Sequence, residues 1–303
     1  MTDSGLPALL HEPVWYEPLR EPSWLLPPVR EGAPRVVCTP AEEPASDDIA
    51  ECALHLGLPL MVAEAIRFAT DARVSATTGP WAVTDGAAAV VTVSVTGEGP
   101  GRELRVQLSG ADGIEVDGFA HPVPDDDSLG ASAAGLVGEV NGALRRVGVR
   151  AVWSTVYTPP AAATAVAYLR GHYLVARLRD PEVHEAAADD PEATSGRRQA
   201  VRSALGALAD LASHASSPPA VALFFAGLAA TKAAGSAAYK DFRLPANALA
   251  MGADDPRDPV ARLSVLALYL FGDQMAAEQR VRMLGVLGDQ ELHAWLLRAR
   301  AVG

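Results

Sequence analysis

Three polar rings carry the strongest chemical signal in this chain: Tyr157, Tyr168 and His172. A phenol can donate a proton or a hydrogen bond to a carbonyl oxygen, and an imidazole can exchange a proton at neutral pH, so all three are candidate acid–base catalysts. Tyr168 and His172 stand four positions apart and share one face of a helix. Arg170, Tyr173 and Arg177, at i, i+3 and i+7, share another, where two guanidiniums and a phenol can hold a carboxylate or peptide carbonyls. The rival reading of that stripe is a solvated face whose arginines pair with nearby acids. A further polar and aromatic group, Tyr239-Lys240-Asp241-Phe242-Arg243, lies between helices. Its members are adjacent rather than spaced for one face, which reads as a structural corner ahead of a site.

The element that must position Tyr157 is residues 148 to 160, GVRAVWSTVYTPP. Its β-branched and aromatic run between Gly148 and Pro159-Pro160 has the composition of a strand, on which Trp153 and Tyr157 share a face. Upstream, Arg35 to Thr39 reads as a short strand. Ser46-Asp47-Asp48 offers a cap for a helix through Leu56, and a separate helix, Leu60 to Ala72, is expected after Gly57 and Pro59. From Trp81 the period is two: Val90 to Thr96, the loop GEGPG and Arg102 to Leu108 form an antiparallel hairpin. Leu104, Val106 and Leu108 then face the core, with Arg105 and Gln107 opposite. Ile114 to Val116 adds a short strand, and a helix follows from the acids before Ser128 to about Arg146.

Downstream the chain reads as helix over Ala161 to Arg179, Arg197 to Ala215, Pro219 to Ala234, Pro259 to Phe271 and Ala276 to Ala301, with an acidic exposed loop at 189–196. The fold class expected is α+β: an antiparallel or mixed sheet with packed helices, followed by a mostly helical C-terminal half. Residues 1–34 form an arm rich in proline and tryptophan (Trp15, Trp24), 35–160 the sheet region, and 161–303 a helical region packed on the sheet as one domain.

Composition narrows the function classes. The chain has 303 residues, 49% of them hydrophobic and 20% charged, which is ample for a sizeable core. A net charge of -12 argues against general nucleic-acid binding, which needs a surface that displaces counterions. The N-terminus lacks the basic and apolar regions of a signal peptide. The longest apolar helix expected, Ala220 to Ala230, is too short to cross a bilayer, so the reading is of a cytoplasmic protein. Cys38 and Cys52 read as buried small hydrophobes, and no Cys/His spacing resembles a metal site. Walker A, dinucleotide-glycine, nucleophile-elbow and His-Glu-x-x-His patterns are all missing, which points to work without cofactor or metal. A homodimer is an open alternative to a monomer.

Two short segments carry a family resemblance. Glu103-Leu104-Arg105-Val106-Gln107 stands where a strand motif reading roughly HLRLR would lie, and Trp153-Ser154-Thr155-Val156-Tyr157-Thr158-Pro159-Pro160 where a W…YEPE segment would. Over about residues 81 to 300 the chain thereby resembles the C-terminal domain of lanthipeptide-type dehydratases, the family that also contains the thiopeptide pyridine synthases. Arg105, Trp153, Tyr157 and Pro159 match; Glu103, Gln107, Thr158 and Pro160 depart. The family's late Ser-x-x-His-Met segment corresponds to Ser264-Val265-Leu266-Ala267-Leu268, without a histidine, so the resemblance implies the cyclising branch over glutamate elimination.

That branch joins two dehydroalanines of a modified precursor peptide by formal [4+2] cycloaddition and expels water and the leader peptide. Its demands are orientation of two alkenes and a proton donor to an amide oxygen. The expected roles are peptide binding for Arg105, Trp153, Arg170, Tyr173 and Arg177, and proton donation by Tyr157, Tyr168 or His172. The rival class is a non-catalytic accessory or immunity-like binding protein.

Overall fold

The computed structural model describes residues 9–44, 48–79, 86–97, 101–152, 154, 156–158, 160–184, 191–215, 217–253, 255–285 and 288–301. The fold is α+β: a mixed six-stranded sheet with packed helices, then a mostly helical C-terminal half. The strands are β1 (Leu9–His11), β2 (Arg35–Pro40), β3 (Arg73–Thr77), β4 (Ala89–Thr96), β5 (Glu103–Gly110) and β6 (Glu115–Pro122). They are ordered β1-β3-β2-β4-β5-β6. β2 runs parallel to both β3 and β4, and the other pairings are antiparallel.

The expected hairpin forms, with Thr96 opposite Glu103 and Val93 opposite Val106. Strand alternation buries Leu104, Val106 and Leu108 and leaves Arg105 and Gln107 exposed on the other face. The expected short strand at 114–116 begins instead at Glu115 and runs for eight residues, because β6 pairs along almost the whole of β5.

The chain divides into two compact units. One comprises Pro7–Val14 and Leu26–Tyr173, the other Trp15–Leu25 and Leu174–Gly303. The division falls within one helix and also runs through the N-terminal arm. In the first unit α1 (Ile49–Ala69) packs over β2, β3 and β4, and α2 (Asp126–Leu144) lies beside it over β5 and β6. Asp48 caps α1 by accepting from the N–H groups of Ala50 and Glu51, and Asp125 caps α2 by accepting from Ser128 N.

Two expected helices are one here. Gly57 and Pro59 do not end the helix, because the chain widens into a π turn over Ala53–Gly57 and continues from Leu58. Proline has no N–H for the carbonyl four residues back and its ring crowds that carbonyl; a widened turn relieves both. The fused helix is therefore the longest apolar one among the described residues. It has 21 residues, and an 18-residue stretch of it has mean hydropathy 1.5, enough to cross a bilayer by length and composition, but 72% of that stretch is buried inside the structure. It is the core helix of the sheet unit.

The strand expected over 148–160 does not form among its described residues. Ala151 makes a single antiparallel bridge to Thr70, with Val152 N–H donating to Ala69 O at 2.8 Å. The hydroxyl of Ser154 then accepts the N–H groups of both Val156 and Tyr157 at 3.3 Å. Those donors are the ones a strand would offer to a neighbour, so the serine turn diverts the backbone from the sheet. Trp153, Thr155 and Pro159 lie outside the described residues.

α3 (Ala162–Leu178) leads into the second unit, followed by α4 (Pro181–His184), α5 (Pro191–Ala215), α6 (Pro218–Ala233), α7 (Arg243–Gly252), α8 (Pro259–Leu270), α9 (Gln274–Gly285) and α10 (Gln290–Arg300). Three sequence expectations change here. α5 starts at Pro191, inside the expected acidic loop, since proline is tolerated in a first helical turn. The long helix expected over 276–301 is two, separated at Gly288, which has φ 66°, and restarted by the Asp289 cap. The Tyr239 corner is a 3-10 turn over Ala237–Phe242, running into the unforeseen α7. α6 is buried on all sides and packs against α5 and α8. Trp295 of α10 is fully buried, donates to Leu19 O at 2.8 Å and meets Trp24 edge-on at 5.3 Å.

Candidate functional site

α1 and α3 approach each other closely at Gly57. A Cβ there would lie 2.4 Å from the carbonyl oxygen of Leu169 and 3.3 Å from Tyr173 Cβ, so only glycine admits this crossing. Two turns beyond Gly57, α1 presents Glu64 and, four residues later, Phe68. Beside Leu169, α3 presents Tyr168 and, four residues later, His172. These facing i, i+4 pairs meet in the interior. Glu64 and His172 are 0% exposed and Tyr168 3%.

The Tyr168 hydroxyl donates to Glu64 Oε1. His172 Nδ1 lies 2.9 Å from the Tyr168 carbonyl oxygen; a carbonyl only accepts, so Nδ1 carries a proton. His172 Nε2 is 3.3 Å from Glu64 Oε2, within ion-pair reach but too poorly aligned for a hydrogen bond. The carboxylate and the imidazole therefore face each other in the interior, away from solvent. The Tyr168 and His172 rings meet edge to face at 4.9 Å.

The fourth member comes from the turn before α3. Tyr157 stacks on Phe68 with ring centroids 4.8 Å apart and planes 14° from parallel. The residue is half-buried, yet its hydroxyl is shielded from solvent and has no hydrogen-bond partner among the described residues. Burial first, and then the Glu64 carboxylate, push this phenol well above its ordinary range. The same two causes raise Tyr168, with Tyr157 and its bond to Glu64 adding to them. Both phenols are therefore held protonated, as a proton donor requires.

The structure thus brings together Tyr157, Tyr168 and His172 and adds Glu64 and Phe68, which the sequence reading missed. The available signal was a lone carboxylate in the apolar run LPLMVAEAIRFA, where only Arg67 is also charged. Arg67 has a separate job: it pairs with Glu12 and donates to Pro27 O at 2.7 Å, tying the N-terminal segment to α1.

The expected peptide-holding residues are not gathered at this cluster. Arg105 is 58% exposed on the open sheet face and bonds Glu103 at 2.8 Å, because strand alternation sends it away from Leu104 and the helices. Arg170 is exposed, 3.6 Å from Asp126. Tyr173 is 5% exposed and sits in the α1–α3 crossing, so the stripe shared with Arg170 and Arg177 is cut by the core boundary. Arg177 is half-buried and belongs to the second unit. Trp153 lies outside the described residues. Cys38 and Cys52 are buried, as expected, and burial pushes the Cys38 thiol up. Among the described residues no three His, Cys, Asp or Glu side chains gather as metal ligands.

The raised phenols set the sign of a stability change at high pH. In the unfolded chain a tyrosine loses its proton near 10.0, whereas Tyr157 and Tyr168 keep theirs when folded. The native state then binds more protons, so stability is full below that pH and falls above it. Urea midpoints measured from neutral to strongly alkaline pH are expected to decline beyond about pH 10. The decline should be shallower in Tyr157→Phe/Tyr168→Phe, with a residual slope from Tyr269, which burial and Glu278 raise to about 12. An identical slope in the double variant would remove these phenols from the linkage.

No family model matches the chain, and no curated protein or solved structure is found to be similar to it.

Proposed function

We propose that this chain is a cofactor-independent, peptide-modifying enzyme that works by proton transfer, of the thiopeptide pyridine-synthase type. The observation that carries this reading is the shielded, unpartnered hydroxyl of Tyr157 beside the Glu64–Tyr168–His172 network. Such a phenol can donate to an amide oxygen of a dehydrated precursor peptide and favour its departure as water. Glu64 and His172, within ion-pair reach of each other, are placed to relay the proton that aromatisation moves, and Tyr168 fixes the Glu64 carboxylate. Tyr157 alone of the four polar groups is half-buried, so its residue reaches the surface while its hydroxyl, the donor in this reading, lies inside beside the network. The partner is then a modified precursor peptide and the setting the cytoplasm.

The test is incubation with dehydrated, azoline-bearing precursor peptides, followed by mass for the released leader fragment and by pyridine absorbance. Tyr157→Phe should lower turnover about 100-fold or more while the thermal midpoint stays within a few degrees of wild type. Arg105→Ala should leave turnover unchanged, since that side chain is engaged by Glu103 on the other face of the sheet. No conversion of any such peptide, or full activity in Tyr157→Phe, would sink the reading.

One observation favours a second reading, a non-catalytic accessory or immunity-like binding protein: Arg105 and Arg170, the cations expected to hold peptide, lie outside the cluster. It would be marked by peptide binding without conversion and with equal affinity in wild type and Tyr157→Phe.

A further inference from the structure

The second unit holds a cavity of about 890 Å3 that the acid–base cluster does not involve. Its chemistry comes from Arg20, Arg179, Lys232, His184 and Glu17, set among prolines and alanines. Three cations against one carboxylate is a concentration of positive charge in a chain whose net charge is -12. Burial lowers Arg179 below the ordinary guanidinium range, an effect that its pairing with Glu17 partly offsets. Burial, and then Lys240, likewise lower Lys232, whose ammonium donates to Leu270 O at 3.1 Å and lies over the Tyr239 ring. Cations drawn partly out of water recover their solvation from an anion that enters beside them.

Three further features shape this site. His184 Nε2 lies 2.8 Å from Leu178 O and so donates there, which leaves its shielded Nδ1 without a partner among the described residues. Three carbonyls at the end of α6 are occupied: Ala230, Thr231 and Lys232 accept from the N–H groups of Ala234, Ser236 and Gly235. Arg20 and Glu21 hold consecutive left-handed backbones, φ 61° and 57°, which are costly for non-glycine residues. Arg298 secures that turn by donating to both their carbonyls, at 3.1 and 2.9 Å.

We propose that this cavity binds a small organic anion, whose carboxylate or phosphate oxygens are held by Arg20, Arg179 and Lys232. Its volume suits a whole metabolite rather than a bare ion. Glu17 competes with the ligand for Arg179, so the site is weakened in its empty state and strengthened by neutralising that residue.

The experiment is isothermal titration calorimetry of the full chain with citrate and with inorganic phosphate, at physiological salt. One-to-one saturable binding with Kd of about 1 mM or tighter is expected for one of the two, and the one that binds identifies the oxyanion. Arg179→Gln and Arg20→Gln should each weaken binding about tenfold or more. Arg20 is exposed, so its variant tests the site without endangering the fold. Glu17→Gln should tighten binding. Saturation by neither probe, or an affinity unchanged in both arginine variants, would overturn the proposal.

Discussion

Gly57→Ala is expected to destabilise the protein by about 3 kcal/mol or more, the upper end of what inserting atoms into a packed interior costs. The new Cβ would lie 2.4 Å from Leu169 O and 3.3 Å from both the Leu169 carbonyl carbon and Tyr173 Cβ. The obstacle is mainly backbone of another helix, which cannot rotate aside as a flexible side chain could. α1 and α3 must separate, and the separation reaches the cluster, because Glu64 follows Gly57 by two turns and Tyr168 adjoins Leu169. A glycine control makes the comparison specific. Gly135 lies in α2 with nothing within 4 Å of its would-be Cβ, so Gly135→Ala should stabilise by about 0.5–1 kcal/mol through helix propensity alone. Urea unfolding of both variants measures the contrast. Equal midpoints for Gly57→Ala and wild type would mean that the two helices do not meet as described.

The second large effect separates structure from chemistry at one residue. Glu64→Ala removes the acceptor of the Tyr168 hydroxyl and the partner of His172 Nε2, and leaves a void among residues that are 0–3% exposed. Stranding buried polar groups and opening a cavity together cost about 3–5 kcal/mol. Glu64→Gln keeps the volume and an oxygen that accepts from Tyr168, so its cost is about 1 kcal/mol, but an amide cannot take up a proton. Under the proton-transfer reading Glu64→Gln is folded and inactive; under the binding reading it is folded and retains peptide affinity. Thermal denaturation, turnover and peptide titration on the same preparations decide between these outcomes. If Glu64→Ala were as stable as wild type, the cluster would not be the buried network seen here.

Much of the local architecture could be read from residues alone. Alternation in ELRVQL placed Leu104, Val106 and Leu108 inward and Arg105 and Gln107 outward, and the hairpin has that arrangement. The i, i+4 spacing of Tyr168 and His172 put both on one helix face, and both are buried together. Where local reasoning failed, a competing local bond or a distant partner had intervened. GVRAVWSTVYTPP has strand composition, but the Ser154 hydroxyl takes two of the N–H groups a ladder would need. Gly57 and Pro59 look like a helix end, but the π turn absorbs the proline while Gly57 meets α3.

The sequence by itself determined what repeats over a few residues: the hairpin, a helix start at Ser46-Asp47-Asp48 and another among the acids before Ser128, most of the helices, and which face of α3 carries the phenol and the imidazole. Only the tertiary structure decided that β2 runs parallel to β3 and β4, that Arg105 and Tyr157 do not share a groove, and that the lone carboxylate of the apolar run LPLMVAEAIRFA completes the cluster. The reason is physical. Periodicity of 2 or 3.6 residues orients a side chain relative to its own element, whereas the partner it meets depends on which backbones approach across long stretches of chain. At this cluster that approach rests on Gly57 and the Leu169 carbonyl, a contact between residues 112 positions apart that no local pattern records.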